Sequence, residues 1–246
     1  MQKTILITGA SSGFGKLTAK TLLENNHQVI ATMRDIQGKN KSNAEELAKL
    51  GAKIIELDVT DDASVELAIK NAANEVSKID VVINNAGVGV MGYQEAFTVD
   101  DFKRVFEINV FGVQRVIRAI LPHFRKNKSG TIINISSLLG RITIPFYGPY
   151  NATKWAVEAM SENYRVELSQ LGIDVCIVEP GGFPTNFMER LIKPSDNSRN
   201  QYYSEISPTP EVSFSNFEHA LAANPAQNPQ NVANAIFDLV QNDIGQ

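Results

Sequence analysis

The sequence predicts an α/β protein built on a doubly wound parallel sheet, with helices on both faces in three α/β/α layers. Three observations predict it. Six short apolar runs, each suited to burial on both faces, alternate with stretches of helical periodicity. The residues of unusual type fall at or just after the C-terminal ends of those runs, where open α/β sheets bind ligands. The 246 residues, 43% of them hydrophobic, are enough for one large core. Residues 1–246 therefore read as one domain, with a candidate substrate lid at about 183–228 and a composition shift toward Pro, Asn and Ser near residues 193–230.

The first run, Thr4-Ile5-Leu6-Ile7-Thr8, leads at once into Gly9-Ala10-Ser11-Ser12-Gly13-Phe14-Gly15. Leu17, Thr18, Leu22 and Leu23 then recur at helical spacing. Strand, glycine loop and helix are the context of a dinucleotide-phosphate site. Glycines let the backbone approach a pyrophosphate closely, and the free N–H groups of the helix start receive its charge. The second run, Gln28 to Met33, is followed by Arg34 and Asp35. An acidic side chain here would bond the ribose 2′-hydroxyl of NAD, and an arginine would accept the 2′-phosphate of NADP. A guanidinium fork suits phosphate, so NADP(H) is favoured and NAD(H) stays open. The plain alternative is an exposed turn pair.

Residues 44–50 read as a helix closed by Gly51, and residues 53–57 as the third strand. Asp58 and Val59 at its end are placed to contact an adenine edge, unless Asp58 or Thr60 only caps the helix predicted over 61–77. The fourth strand, Asp80 to Asn84, runs into Asn85-Ala86-Gly87, a ligand crevice or a tight turn. Asn84 reads as structural; Asn85 either braces backbone or touches cofactor. A long helical region follows from Asp100. It contains Asn109, a poor helix former that competes for backbone partners. Asn109 is either a face residue or a break that places an amide near the site. Pro122 predicts a kink. The fifth strand, residues 131–136, leads into Ser137; a helix runs from Tyr150 to near Gly172; the sixth strand, residues 174–178, is broken by Glu179-Pro180-Gly181-Gly182.

Tyr150 and Lys154 stand one helical turn apart on one face. A phenol titrates near pH ~10 unaided. A cation held close in a partly dry site favours the phenolate and would make a general acid/base useful near neutrality. Ser137 could hydrogen-bond a substrate oxygen beside it. Alone, the pair is a short and common pattern, equally a helix start with an incidental Tyr and Lys.

The net charge of −4, with no Lys/Arg cluster, gives no footing to nucleic acid or an anionic membrane. Cys176 is the one cysteine and reads as a buried small hydrophobe. His27, His123 and His219 are scattered, read as structural or surface residues, and suggest no metal site. No apolar span of ~20 residues occurs, and a cytoplasmic location is the expectation.

Together these residues resemble the short-chain dehydrogenase/reductase superfamily, in its classical branch. The matching pieces are Thr8 to Gly15, Asn84 to Gly87, Asn109, Ser137, Tyr150-x-x-x-Lys154 and Pro180-Gly181-x-x-x-Thr185, in the family's order. The resemblance covers roughly residues 3–190. It implies a Rossmann-type fold and an oxidoreductase acting on a carbonyl, secondary alcohol or aldehyde. It implies that Tyr150 moves the proton, that Lys154 lowers its pKa and holds the nicotinamide ribose, and that Ser137 polarises the carbonyl. Asn109 would anchor a relay water. The loop Gly9 to Gly15 (with Ser11, Ser12, Gly13 and Phe14) would hold the pyrophosphate. Asp58 and Val59 would flank adenine, Asn85, Ala86 and Gly87 would line the crevice, and Pro180, Gly181, Phe183 and Thr185 would border the nicotinamide. Residues 31–35 resemble NADP-preferring members. Ser137, Met91, Leu138, Leu139, Ile144, Phe146, Tyr147 and Phe187 would line a pocket for an apolar small-molecule substrate. An NAD-dependent alcohol dehydrogenase of the same family and a non-catalytic NADPH-binding regulator are the competing readings.

Two departures stand out. Many members end with a seventh strand; after the helix at 229–241 only five residues follow, so that strand is expected to be missing or to lie beyond residue 246, which leaves a homodimer through the helices at 100–126 and 150–170 as the expectation and tetramer assembly open. The segment at 183–228 is long and carries Phe187, Met188, Leu191, Tyr202, Tyr203, Phe214 and Phe217, which suggests a lid over the substrate or an ordinary packed cap.

Overall fold

The structure, a computed structural model of the chain, describes residues 1–242. Strands β1 (Thr4–Ile7), β2 (Gln28–Met33), β3 (Lys53–Glu56), β4 (Val81–Asn84), β5 (Gly130–Ile135) and β6 (Ile173–Val178) form one sheet in the order β3-β2-β1-β4-β5-β6. Every pairing is parallel. The order reverses between β1 and β4, which opens a crevice at the strands' C-terminal ends. Gly9, Arg34, Asp58, Asn85, Ser137 and Glu179 all lie along that edge because all six strands point the same way.

The continuous apolar runs follow from burial on both faces. Leu6, Ile30, Val82, Ile132 and Val175 point into one layer, with helices α3 (Asp62–Glu75) and α5 (Gly112–Asn127). Ile5, Ile7, Val29, Ala31, Val81, Ile83 and Ile133 point into the other, with α1 (Gly13–Glu24), α2 (Lys41–Lys49) and α8 (Gln230–Gln241). Each such side chain contributes about 1.5–3 kcal/mol relative to an exposed one, so the two layers set the sheet's register together.

Several boundaries differ from the sequence reading. Helix α2 starts at Lys41, before residue 44. Asp61, not Asp58 or Thr60, caps α3: its carboxylate accepts from the N–H groups of Ala63 (2.8 Å) and Ser64 (3.2 Å). The long helical region is broken where Asn109 lies. Helix α4 (Val99–Phe106) opens on a capping box between Thr98 and Asp101, a π-helical turn spans Glu107–Phe111, and α5 follows. Helix α5 continues through Pro122; Pro122 and Arg118, whose carbonyl loses its partner, are both exposed, so water can serve it. Helix α6 runs over Gly148–Leu168 with Pro149 in its first turn, and the chain turns at Gly172 with φ +70°. Helices α7 (Pro210–Ala222) and α8 complete the fold.

The sheet has six strands among the described residues; residues 243–246, where a further strand would begin, lie outside them. Cys176 is only partly buried, and its thiol is pushed up to about 11, first by burial and then by Asp174. His27 and His123 accept the N–H groups of Lys3 (3.1 Å) and Ile79 (3.0 Å), and His219 is exposed. Among the described residues, no helix is long and apolar enough to cross a membrane and no cluster of His, Cys, Asp or Glu could hold a metal.

Candidate active site

At the nucleotide end, main chain is braced by main chain. Gly9 has φ +67°, and a Cβ there would lie 2.8 Å from the Ala86 Cα. A Cβ on Gly15 would lie 2.7 Å from the Gly9 carbonyl oxygen. Thr8 Oγ1 accepts from the N–H groups of Asn85 (3.0 Å) and Ala86 (3.1 Å), and Asn85 Nδ2 donates to the carbonyls of Thr8 (2.9 Å) and Gly9 (3.1 Å). Asn85 is thus a brace for the glycine loop. Asn84 is structural, donating to Asn134 Oδ1 at 2.8 Å. Ser12 precedes α1 in extended conformation without capping it, and the first turn carries no acid. Ser11, Ser12, Gly13 and Phe14 are partly exposed, so this helix start can receive an anion. Phe14 packs edge-on against Phe183, and Thr185 stands 3.8 Å from where a Gly13 Cβ would be. Gly181 has open space beside it, while Pro180 is buried. The glycine loop, the end of β4 and the segment after β6 therefore border one groove.

The Arg34–Asp35 pair resolves into two different jobs. Asp35 adopts φ +49°, and its carboxylate accepts the Lys39 N–H at 2.7 Å, so it closes its own turn. The Arg34 side chain is 61% exposed, with Asp58 at 3.7 Å. Arg34, Lys39 and Asn40 face Asp58 across a cavity of about 450 Å³. Asp58 itself is held by Thr60, whose N–H and hydroxyl both donate to Oδ1. Val59 is buried in the core beside Gly112 and presents no side chain to the groove.

At the chemical end, Ser137, Tyr150 and Lys154 are 8%, 9% and 7% exposed. Lys154 Nζ donates to the Ile135 carbonyl at 2.8 Å and sits 5.5 Å from the Tyr150 ring centre. Here the structure corrects one expectation: the ammonium does not draw the phenol down in this arrangement. Burial raises Tyr150 to about 12 against the opposing Ser137 hydroxyl, and burial lowers Lys154 to about 8 against the opposing charge of Glu158. Desolvation is the leading cause of both shifts. Asn109 is buried in the π turn. Its Oδ1 accepts the Val88 N–H at 2.9 Å, and its Nδ2 donates to the Val88 carbonyl (2.9 Å) and Thr153 Oγ1 (3.1 Å).

Above these groups runs a strap. Phe187 packs on Tyr150, ring centres 5.8 Å apart. The Ile192 N–H donates to Gly89 (2.9 Å) and the Ile192 carbonyl accepts from Met91 (3.0 Å). Met91 is buried, with its N–H tied to the strap, and Leu139 packs with Tyr150. Beyond lies an apolar cavity of about 1060 Å³, walled by Ile144, Phe146 and Tyr147 on one side and by Tyr203, Phe214 and Phe217 on the other. Phe146 has φ +73°, a strained setting for a bulky residue. Ser137, Met91, Leu138, Leu139 and Phe187 do not line this cavity, nor do Tyr150 and Lys154, whose neighbours in sequence Tyr147, Gly148, Asn151 and Trp155 belong to its wall; Tyr93, Gln94 and Trp155, which sequence reasoning missed, line it. They carry no local pattern that marks them. Tyr93 stacks on Tyr203 at 4.3 Å, which ties the two walls together.

The profile of the short chain dehydrogenase family matches residues 3–196. The chain is 40% identical over 201 residues to 3-ketodihydrosphingosine reductase of Bacteroides thetaiotaomicron, covering 82% of this chain and 71% of that one. It is 32% identical over 251 residues to human retinol dehydrogenase 8, covering 97% and 78%. Among solved structures, ElxO with NADP bound superposes with a TM-score of 0.76 at 28% identity, covering 99% of this chain and 93% of that one.

Proposed function

The chain belongs to the short chain dehydrogenase family of oxidoreductases, which act between CH–OH and C=O with a nicotinamide cofactor, and on that premise we propose that it interconverts an apolar, uncharged carbonyl compound and its alcohol using NADP(H). The observation that carries this reading is the convergence of buried Ser137, Tyr150 and Lys154 at the end of β5, beside a loop in which neither Gly9 nor Gly15 has room for a Cβ.

The residues present fit such a cofactor. Gly9 and Gly15 let the loop pack against Ala86 and Asn85 where a Cβ would clash, and α1 offers a phosphate an N-terminus with no side-chain cap. Arg34 and Lys39 suit a 2′-phosphate, although Asp35, Glu56 and Asp58 line the same cavity. Thr185 and Phe183 border the groove where the carboxamide would lie. When bound, the nicotinamide supplies or accepts the hydride. The chain does the rest. Ser137 donates a hydrogen bond to the substrate oxygen. The Tyr150 hydroxyl gives its proton to that oxygen in reduction and takes it back in oxidation. The Lys154 ammonium offsets the negative charge left on the phenol oxygen, and the dry surroundings strengthen that effect. Asn109 fixes the Val88 backbone and the helix face that carries Thr153 beside them. The strap at 183–195 excludes water.

The cavity supports the substrate class. None of its lining residues is charged, so it offers no charged partner for a carboxylate or phosphate. Its volume suits a long hydrocarbon body, in keeping with the two relatives named for retinol and ketodihydrosphingosine.

Tyr150→Phe tests the mechanism. Reduction of long-chain uncharged ketones and aldehydes should fall about 10²–10⁴-fold, the range of a lost general acid, while NADPH binding followed by fluorescence stays intact. Undiminished turnover in the variant would sink the assignment. Tight NADPH binding without turnover in the unmutated protein would favour a non-catalytic nucleotide-binding regulator.

A further inference from the structure

A buried carboxylate behind the reacting groups has no part in that scheme. Glu158 stands one turn beyond Lys154 on the same face of α6 and is only 4% exposed. Its salt bridge is to Arg141, whose guanidinium lies 2.8 Å from Oε2. Arg141 in turn donates through Nε to Glu179 at 2.9 Å. Arg141 directly follows the short turn Leu138–Gly140 headed by Ser137, and Glu179 directly follows β6. The turn rests on the carboxylate side chain: a Cβ on Gly140 would lie 2.8 Å from Ser136 Oγ and 2.9 Å from Glu158 Cγ. Glu158 therefore joins three elements, namely α6 with Tyr150 and Lys154, the turn with Ser137, and the end of β6.

Stability does not account for a carboxylate at this place. Burying an ion pair costs desolvation, and well-packed apolar side chains often serve as well or better. Glu158 supplies two things an apolar residue could not. It sets a carboxylate at ion-pair distance from the guanidinium that follows the serine turn, with neither oxygen hydrogen-bonded, and it places a negative charge one helical turn from the Lys154 ammonium. That ammonium is buried, is bonded to a carbonyl, and has no carboxylate within salt-bridge distance among the described residues.

We propose that Glu158 is a positioning residue for the reaction: through Arg141 and Glu179 it holds the Ser137 turn against α6, and through its charge it keeps Lys154 an ammonium. The inference rests on the roles given above to Ser137, Tyr150 and Lys154. The charged groups around Glu158 are Lys154 and Glu162 on α6, Arg141 on the turn and Glu179 after β6. Burial pushes the Glu158 carboxyl up; the Ser136 hydroxyl and Arg141 oppose this and Glu179 adds to it. Removing the charge of Glu158 removes what opposes burial at Lys154, so the ammonium then loses its proton at lower pH.

The test uses Glu158→Gln in the full chain, with two readouts. The first needs no turnover: the Lys154 titration, followed by NMR of ¹³C-labelled lysine and assigned by its loss in Lys154→Arg. Its midpoint should fall by about one unit. The second is the pH profile of kcat/KM for NADPH-dependent carbonyl reduction, whose alkaline limb should move in the same direction while the NADPH Kd stays put. Arg141→Lys, at a side chain 48% exposed, provides the independent arm. It keeps the charge and loses the fork, so kcat should fall several-fold with the Lys154 titration unmoved. A Lys154 titration that Glu158→Gln leaves in place overturns the charge role, and an unchanged kcat in Arg141→Lys overturns the clamp. If the unmutated protein reduces no carbonyl, the reading of Tyr150 fails while the titration still decides this one.

Discussion

The two ends of the crevice are built on opposite plans. At the nucleotide end, Thr8, Gly9, Gly15, Asn85 and Ala86 are fitted to one another through backbone atoms, and a single methyl group has no place to go. At the chemical end, aromatic side chains from distant segments meet: Phe187 packs on Tyr150, Tyr203 stacks on Tyr93, and Phe146 and Phe217 both line the apolar cavity. Backbone-built contacts are nearly independent of side-chain identity except where glycine is required. Side-chain-built contacts can be exchanged one at a time. The first plan suits a cofactor shared by many enzymes; the second suits a substrate that differs between them.

The largest expected effect lies at the nucleotide end. Gly9→Ala combines a left-handed φ of +67° with an approach of 2.8 Å to the Ala86 Cα. Strain of this kind costs about 1–3 kcal/mol before any backbone moves, so NADPH affinity should drop by up to about 100-fold, with a lowered Tm. Fluorescence titration and thermal unfolding check both. Undisturbed binding would break the comparison, because the loop would then be adaptable.

Legibility in the sequence follows the same division. The glycine loop, Asn85 and Ser137 lie just after strand ends, and Tyr150 and Lys154 stand one turn apart at the start of α6, so periodicity and residue type expose them. The break at Asn109 was visible as an amide out of place, and the structure makes it a π turn. Where the sequence reading slipped, several side chains competed for one local role. Asp58, Thr60 and Asp61 could all cap α3, and only the backbone angle at the start of the helix decides for Asp61. The titration of Tyr150 was misjudged because spacing reports proximity to Lys154 and is silent on desolvation, which dominates here. The cavity residues come from four separated segments, and no short-range pattern joins Tyr93 to Tyr203 or Trp155 to Phe217. Glu158 did leave a signal, an acid one turn beyond the lysine on its buried face, which helical spacing alone would have flagged.

The next effect in size asks how far the nucleotide end extends. Arg34→Ala removes a guanidinium whose charge-assisted bonds to a 2′-phosphate are worth about 1.5–3 kcal/mol at best. Arg34 is largely exposed, and screening by water and salt reduces that value. NADPH binding should therefore weaken by about tenfold, with Lys39 retaining part of the affinity, while NADH binding stays level. Equal losses for the two cofactors would refute the 2′-phosphate role and place Arg34 with the exchangeable residues.

The smallest effect is the sharpest for the substrate end. Helix α7 has little in the core: of its residues only Pro210 and Leu221 are buried. Phe217 projects from it beside Gly182 and onto the large cavity. Phe217→Ala should leave the fold and NADPH binding intact. It should raise KM for a long apolar ketone about fivefold, because losing roughly 40 Å² of apolar contact at about 25 cal/mol per Å² comes to about 1 kcal/mol. A short ketone that cannot reach α7 should show no change, and kcat should hold for both, since Phe217 is not among the side chains packed on Tyr150. A KM that rises equally for short and long ketones would mean that α7 shapes the reacting centre itself. A loss of NADPH affinity would mean that α7 supports the groove through Gly182, and the two ends could then no longer be treated as separately built.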